Sequence, residues 1–507
     1  MSAAFIQRAD GPVNDLIAPI EFTLGDTNIG NDAGITAPPH LKTLAIIGPH
    51  TVAGVSETAS RRKIFTCRPS AAREEPACAT DIIKRLAAQA YRGNVSGEDL
   101  ADLMRLYDRG RESGDFESGV RLALQGILAN PRFLFRVERV PADVKAGASY
   151  RVADIDLASR LSFFLWGSVP DAALVKAATQ GTLSNPAVLE RQVRRMLADA
   201  RSEALATRFA AQWLRLAELK PIRPDQLKYP QWDKTLVDSS QRETELFCDS
   251  LVREDRNVLD LITADYTFVN ERLAAHYGIP NVMGNAFQRV RLPDESRRGI
   301  LGHASVLMLT SVVDRTSPVI RGKWVMNVLL GAPPPPPPPN VPNFEETRSV
   351  KGDRVLSVRE RMEEHRANPA CTSCHRVIDP IGLALENFDA IGMYRVRDGE
   401  KPVDPTGVLY DGTPLEGPAS LRQALLKHRD VVILSLTENL MTYALGRPVE
   451  YDDMPSIRTI IRDAARNDNR MSSFILGVVK SPAFQMSRGD DAVQTEAGAT
   501  NGKDARR

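Results

Sequence analysis

Seven consecutive prolines, Pro333 to Pro339, set the strongest limit on how this chain folds. Each ring fixes φ and removes an amide donor, so no helix or strand ladder passes through the run. It is held as an extended polyproline II rod of roughly 20 Å without internal hydrogen bonds. Such a rod reads as a stiff spacer or a strap laid across a surface, the alternative being a ligand for another domain. It closes one helical block, "RRGILGHASVLMLTSVVDRTSPVIRGKWVMNVLLG", and leads through "VPNFEETRSV" and the helical stretch "SVRERMEEHRANPA" into Cys371-Thr-Ser-Cys374-His375.

With five Cys and seven His among 507 residues, a Cys-x-x-Cys-His string arises by chance in roughly one such chain in a thousand. On a helical turn, residues three and four apart share a face, so both thiols and the imidazole can address one flat ligand. The spacing predicts one covalent haem c, thioether-linked through Cys371 and Cys374, with His375 as proximal axial ligand of the iron. Three other readings compete. Zinc wants four ligands, and neither a second Cys-x-x-Cys nor a His-x-x-x-His pair occurs elsewhere in the sequence. A redox dithiol wants a βαβ setting that the flanks do not offer. Coincidence is the third.

A haem iron bound by His375 takes Met, His or nothing in its sixth position. Met454, in "DDMPSI", has the Met-Pro-then-helix context of a distal ligand, and Met486 closes the last helix in "SPAFQM". Either reads equally as a packed core methionine. His365 and His428 are further candidates, His365 more naturally packing on the helix that leads into the motif. A distal methionine raises the potential and suits electron transfer, whereas an open iron suits oxygen or peroxide chemistry. The carbonyl of Pro380 or a neighbour, or the Asp379 carboxylate, is placed to accept the proximal imidazole N–H. Arg315, Arg321 and Lys323 form a basic set for haem propionates or a docking partner. The structural alternative pairs them with Asp314 and with Glu345 or Glu346. His276 and His303 read as satisfied core histidines. The sequence has no phosphate-cradling glycine loop, no Gly-x-Ser-x-Gly elbow and no His-Glu-x-x-His, so a hydrolase reading lacks support and no catalytic residue is assigned.

Sixty-five basic against 64 acidic side chains leave a formal net charge of +1, so no net field recruits nucleic acid or an anionic membrane. No apolar run is long enough to form a transmembrane segment, and the opening "MSAAFIQRADGPVNDLIAPI" has neither a basic n-region nor an apolar h-region. Covalent haem attachment takes place outside the cytoplasm, an export that this opening does not encode. Cys67 and Cys78 flank the polar loop "CRPSAAREEPAC". They are expected to close as a disulfide worth roughly 2–3 kcal/mol, two buried thiols being the alternative. Cys248 reads as a small core residue.

Apolar periodicity predicts a mostly α, multi-domain chain of helical bundles. Residues 1–66, rich in Gly, Thr, Asn and Pro with one β-like run, "KTLAIIGPH", read as the remnant of an N-terminal β domain. A small helical domain is expected over 67–140, with a Ser96-x-x-Asp99 capping signature. A second spans 148–280, where Leu157, Leu161, Phe164 and Leu165 form one apolar stripe. Residues 290–395 carry a helical segment, the proline run and the haem motif. The helices of 396–486 complete a cytochrome c-like domain, and 487–507 is a polar tail expected to be disordered.

Four stretches, "RTSPVIRGKWVMNVLLGAPPPPPPPNVP", "HRANPACTSCHRVIDPIGLALENFDAIGMYR", "TYALGR" and "SPAFQM", together resemble a group of large bacterial proteins. These are built of stacked domains of unknown function (1592, 1588, 1585 and 1595) and are associated with planctomycete-type cytochrome c modules. The similarity runs from "SRRKIFTCRP" to "FQM". The resemblance implies a haem and a location in the periplasm or at the cell surface. It also implies an export signal and β domains ahead of this chain's opening, so the chain is expected to be truncated. It implies no established reaction. The expected function is electron transfer by one c-type haem to or from a redox partner protein. The alternatives are a haem-dependent oxidase or peroxidase, and a surface-binding or scaffold protein in which the haem is structural.

Overall fold

The computed structural model describes residues 45, 47–48, 50–51, 54–93, 95–136, 138–336, 350–351, 354–366 and 369–489. Most of the predicted N-terminal β remnant, the end of the proline run and the tail from residue 490 lie outside the described residues. The chain divides into two compact units, Met1–Arg68 and Pro69–Arg507. In the first, helix Ala59–Ile64 is capped by Thr58, whose hydroxyl accepts from the Arg61 amide at 3.1 Å.

The second unit is mostly helical, and its strands form short two-stranded antiparallel pairs. Helices Glu75–Ala90, Gly97–Glu112 and Phe116–Ala129 make a first array. The middle one starts at the capping box read from the sequence: Ser96 Oγ accepts from the Asp99 amide at 3.1 Å, and Asp99 Oδ2 accepts from the Ser96 amide at 2.7 Å. Gly119 lets the second and third helices close up, because a Cβ there would stand 2.6 Å from the Tyr107 ring.

From Val152 to Phe484 the buried apolar side chains form one continuous core. Helix Asp154–Trp166 contributes the stripe Leu157, Leu161, Phe164 and Leu165, all buried. Helix Lys234–Arg253 adds Leu236, Phe247 and Leu251 on one face. Each such side chain stabilises the fold by about 1.5–3 kcal/mol relative to exposure. Strands Tyr266–Val269 and Gln288–Arg291 pair with Tyr266 opposite Arg291. Helices Arg429–Leu445, Met454–Ala465 and Met471–Lys480 fill the same core from the C-terminal side. Strand Met486–Arg488 then returns to Ser149–Arg151, with Met486 opposite Arg151. Arg160 fastens this closure by donating to the carbonyls of Phe484 at 2.7 Å and Met486 at 3.2 Å. The segments 148–280, 290–395 and 396–486 therefore all contribute to a single interior. Two helical stretches are wound as π-turns, Leu205–Ala210 and Val325–Leu329.

Candidate functional site

Helix Pro369–Leu383 carries the Cys-x-x-Cys-His string in its first half and Pro380 near its end. The first half is open: Thr372, Ser373 and Arg376 are exposed, and Cys374 and His375 are half-buried. From Ile378 onward every residue to Glu386 is buried.

The buried half touches helix Pro318–Trp324 backbone to backbone. A Cβ on Gly322 would stand 2.2 Å from the Ile378 carbonyl oxygen, and one on Gly382 would stand 1.8 Å from that of Pro318. Only glycine fits at either position. Gly322 facing Ile378 while Pro318 faces Gly382 makes the two helices antiparallel.

Arg321 locks the pair from one side. Its Nη1 donates to the carbonyls of Leu385 at 2.7 Å and Phe388 at 2.8 Å and to Glu386 Oε1 at 3.1 Å, while Nη2 reaches the Asp389 carbonyl at 2.8 Å. Glu386 in turn accepts from Thr316 Oγ1 at 2.7 Å and from Arg395 at 3.2 Å. Burial lowers the Arg321 pKa from its ordinary value, and the Glu386 carboxylate opposes that. The proposed contact of Arg321 with a propionate or partner is thus corrected: the side chain is fully buried and satisfies carbonyls just past a helix C-terminus. Its acidic partner is Glu386, since Asp314 pairs with Lys228 at 3.4 Å. Glu345 and Glu346 lie outside the described residues. Arg315 donates to the Thr316 carbonyl at 3.2 Å, and Lys323 is exposed.

In the open half, His375 Nδ1 lies 2.8 Å from Asp379 Oδ1. Asp379 is fully buried, and Arg366 Nε stands 3.6 Å from its Oδ2. That is an ion-pair distance, too long for a hydrogen bond, and Oδ2 has no hydrogen-bond partner among the described residues. An imidazole that donates from Nδ1 to such a carboxylate is the arrangement in which Nε2 can serve as a metal ligand. Of the two candidates for the imidazole's partner, it is the Asp379 carboxylate that faces the His375 ring. The Pro380 carbonyl accepts from the Ala384 amide at 3.2 Å, and the i, i+4 spacing brings Asp379 over the ring.

Cys374 is a free thiol. Cys371 lies one turn earlier on the same helix, its side chain outside the described ones. Cys67 and Cys78 are each disulfide-bonded, and Cys248 is a buried free thiol whose pKa burial pushes up to about 12. Among the described residues no group of three or more His, Cys, Asp and Glu side chains gathers to hold a metal ion.

A cleft of about 310 Å³ opens beside the helix, between Val358–Arg366 and strand Gly407–Val408. Thr372, Arg376, Pro380 and Leu383 line one wall, and Arg359 and Arg366 another. Arg359 is neutralised by Asp404 at 3.1 Å and Glu363 at 3.7 Å. Arg376 has no acidic partner among the described residues. The sequence reading did not name these three arginines.

Met486 sits in the closing strand pair, and Met454 opens helix Met454–Ala465, half-buried against the core. The elements packed most extensively on the Cys-x-x-Cys-His helix are Pro318–Trp324, Val358–Arg366 and Gly407–Val408. Neither methionine is on one of them. His428 Nε2 lies 3.1 Å from Asp411, and the His365 side chain is outside the described ones.

Four family models match: Protein of unknown function (DUF1595) over residues 78–138, DUF1592 over 152–279, DUF1588, labelled PSCyt3, over 297–398, and DUF1585 over 411–484. The chain belongs to this stacked-domain family. No curated protein and no solved structure matches it. In the family's divisions, the Cys-x-x-Cys-His helix, its glycine-packed partner helix and Arg321 all fall within the DUF1588 domain.

The seam between DUF1592 and DUF1588 holds a buried polar cluster that the sequence reading missed. Glu243 accepts from Thr267 Oγ1 and Tyr277 Oη, both at 2.6 Å, and the Tyr277 hydroxyl accepts from the Ala304 amide at 2.8 Å. Burial pushes Glu243 up to about 7. The Arg297 guanidinium lies over the Tyr277 ring at 4.1 Å. His303 Nδ1 meets Thr244 Oγ1 at 2.9 Å, and His276 Nε2 meets the Ile391 carbonyl at 2.8 Å. Burial pushes the two imidazoles down, to about 3 and about 4 respectively.

Proposed function

We propose that this chain is a c-type mono-haem protein that transfers electrons outside the cytoplasm, with haem linked at Cys371 and Cys374 and iron held by His375. The observation that supports this reading is the His375–Asp379 pair: a fully buried carboxylate stands 2.8 Å from the imidazole Nδ1, which leaves Nε2 as the candidate ligating atom, one residue after a free thiol. The donor set fits haem c. When bound, the haem supplies one-electron Fe(III)/Fe(II) chemistry. The protein's own part is to orient the imidazole through Asp379 and to hold the helix still through Gly322, Gly382 and Arg321. Arg376 adds positive charge beside the motif, and Lys323 offers an exposed cation for a redox partner. The disulfide-bonded Cys67 and Cys78 support an oxidising compartment, the periplasm or the cell surface. Among the described residues, no helix is long and apolar enough to cross a membrane.

The test is expression with a cytochrome c maturation system followed by acid-acetone extraction and a pyridine haemochrome spectrum. Haem that survives extraction, with a thioether-shifted α band, is expected; haem that washes out, or is never incorporated, overturns the reading. A second reading, an oxidase or peroxidase with an open distal position, is favoured by one observation: Met454 and Met486 both lie off the elements packed most extensively on the haem helix. Carbon monoxide added to the reduced protein separates the two. Negligible uptake supports a closed electron-transfer site, and fast stoichiometric uptake supports the open one.

A further inference from the structure

A second cleft, of about 200 Å³, lies where three of the matched domains meet. DUF1592 contributes residues 209–215 to it, DUF1588 contributes Asn327 and Val328, and DUF1585 contributes residues 439–443. One wall is aromatic: the Phe209 and Trp213 rings lie parallel within 7° at 6.0 Å, and Tyr443 is 5.5 Å from Phe209. Trp213 is fixed by its indole N–H donating to the Val328 carbonyl at 3.0 Å.

The backbone around this cleft is irregular. Phe209 lies in the π-turn Leu205–Ala210, and Asn327 and Val328 lie in the π-turn Val325–Leu329. Such turns cluster at functional sites because they re-aim side chains out of a regular helix. Arg215 adopts the left-handed conformation at φ 62°, disfavoured for a residue with a Cβ.

The polar lining is chemically uncommitted. The side chains of Gln212, Arg215, Asn327 and Thr442 and the Tyr443 hydroxyl make no hydrogen bond within the described residues. Asn439 uses only its Nδ2, toward the Ser435 carbonyl at 2.8 Å. Amides and hydroxyls both donate and accept, which suits ligand hydroxyl groups. The half-buried Tyr443 ring, backed by the buried Phe209 and Trp213, suits the apolar face of a ligand ring. Arg215 presents an exposed guanidinium, and Arg136 and Arg208 lie close enough to act on the Tyr443 phenol, so the surroundings favour an anion.

We infer that this cleft binds one hydroxylated ring bearing a carboxylate, a uronic-acid sugar unit. At about 200 Å³ it is below the roughly 300–1,000 Å³ of drug-sized sites and takes a single ring. The inference stands apart from the haem site, since none of these residues touches the Cys-x-x-Cys-His helix's cleft.

The experiment is a calorimetric titration of the full chain with D-galacturonate and D-glucuronate, with D-glucose and acetate as comparison probes. Saturable one-site binding of at least one uronate is expected, with D-glucose weaker by about tenfold or more, the size of one lost charge-assisted hydrogen bond, and acetate weaker by about tenfold or more because it lacks the ring and its hydroxyls. Asn327→Ala is expected to weaken uronate by a similar factor without changing Tm, because the half-buried Asn327 side chain makes no hydrogen bond within the described residues. Arg215→Gly, which tolerates the left-handed backbone, is expected to abolish the preference over D-glucose. No saturable heat with either uronate, or acetate binding as tightly as the uronates, overturns the inference. So does an Asn327→Ala protein that is folded and binds undiminished.

Discussion

Asp379 is fully buried and faces His375 at 2.8 Å and Arg366 at 3.6 Å. Asp379→Ala leaves the imidazole without its hydrogen-bond partner and Arg366 without its ionic neighbour, which costs about 1–3 kcal/mol in the haem-free chain. Asp379→Asn, which keeps an acceptor, is expected to cost less; urea unfolding of the two variants reads the difference. In the haem-loaded protein the carboxylate strengthens the imidazole as an electron donor, so Asp379→Asn is expected to raise the reduction potential. An unchanged potential in a redox titration would remove Asp379 from the role assigned to it. Its position four residues after His375 made this partner readable from the sequence. The arginine cleft was readable in part, since Thr372, Arg376, Pro380 and Leu383 recur on one helical face. Arg359 and Arg366 join that face only because the chain folds back around strand Gly407–Val408, and no local pattern encodes that return. The buried histidines and Glu243 give a pH signature of their own. Glu243, raised from 4.5 to about 7, keeps its proton in the fold, so its contribution is fully present below about 4.5 and is lost as pH rises through 7. His303 and His276, lowered from 6.5 to about 3 and about 4, stay neutral in the fold; their contribution is full above 6.5 and is lost as pH falls through those values. Between pH 4.5 and 6.5 the histidines outweigh Glu243, and stability is expected to rise with pH by about 1.4 kcal/mol per unit. Glu243→Gln removes the opposing proton and should roughly double that slope, which unfolding curves across this window would show.

The contact between helices Pro318–Trp324 and Pro369–Leu383 is set by two glycines. Gly382→Ala would place a Cβ 1.8 Å from a backbone oxygen, which cannot be relieved by a side-chain rotation. Overpacking of this kind costs about 1–3 kcal/mol or more and pushes the Cys-x-x-Cys-His helix off its partner. Gly382→Ala is therefore expected to lower both Tm and the haem content after maturation. Gly97→Ala, at a helix start with open space around it, should leave both unchanged. Equal behaviour of the two variants in thermal melts would mean that the helix contact is not tight. Both helices were legible as helices, and the glycines stood inside the strings that mark the family. Their facing each other was not legible, because the proline run and more than fifty residues of chain lie between them. The same separation hid the Arg321 partner: Glu386 is 65 residues further along. From the sequence, Arg321 looked like one of three cations on a short polar stretch. In the fold it is the buried one, and Arg321→Ala is expected to cost about 3–5 kcal/mol by leaving Glu386 and several carbonyls under-satisfied.

The matched domains do not own separate interiors. Trp213 of DUF1592 donates to the Val328 carbonyl of DUF1588 at 3.0 Å, and Ser435 of DUF1585 donates to that same oxygen at 3.0 Å. His276 and Thr244 of DUF1592 reach Ile391 and His303 of DUF1588. Val325, Leu329, Ile300 and Leu301, all within the DUF1588 match, are buried in the common core. A fragment spanning 297–398 alone would expose these side chains, each worth about 1.5–3 kcal/mol of burial, against a total stability of only about 5–15 kcal/mol for an ordinary domain. The fragment is therefore expected to be unfolded by circular dichroism and to retain no haem after maturation, while the full chain shows one calorimetric transition for residues 152–484. If the fragment folds and takes haem, the redox centre is an independent module and the helices around it are a scaffold. If it fails, the reduction potential belongs to the whole core, and a core substitution as remote as Phe484→Ala, which removes a fully buried ring at the closing end of the chain, should disturb haem uptake along with stability.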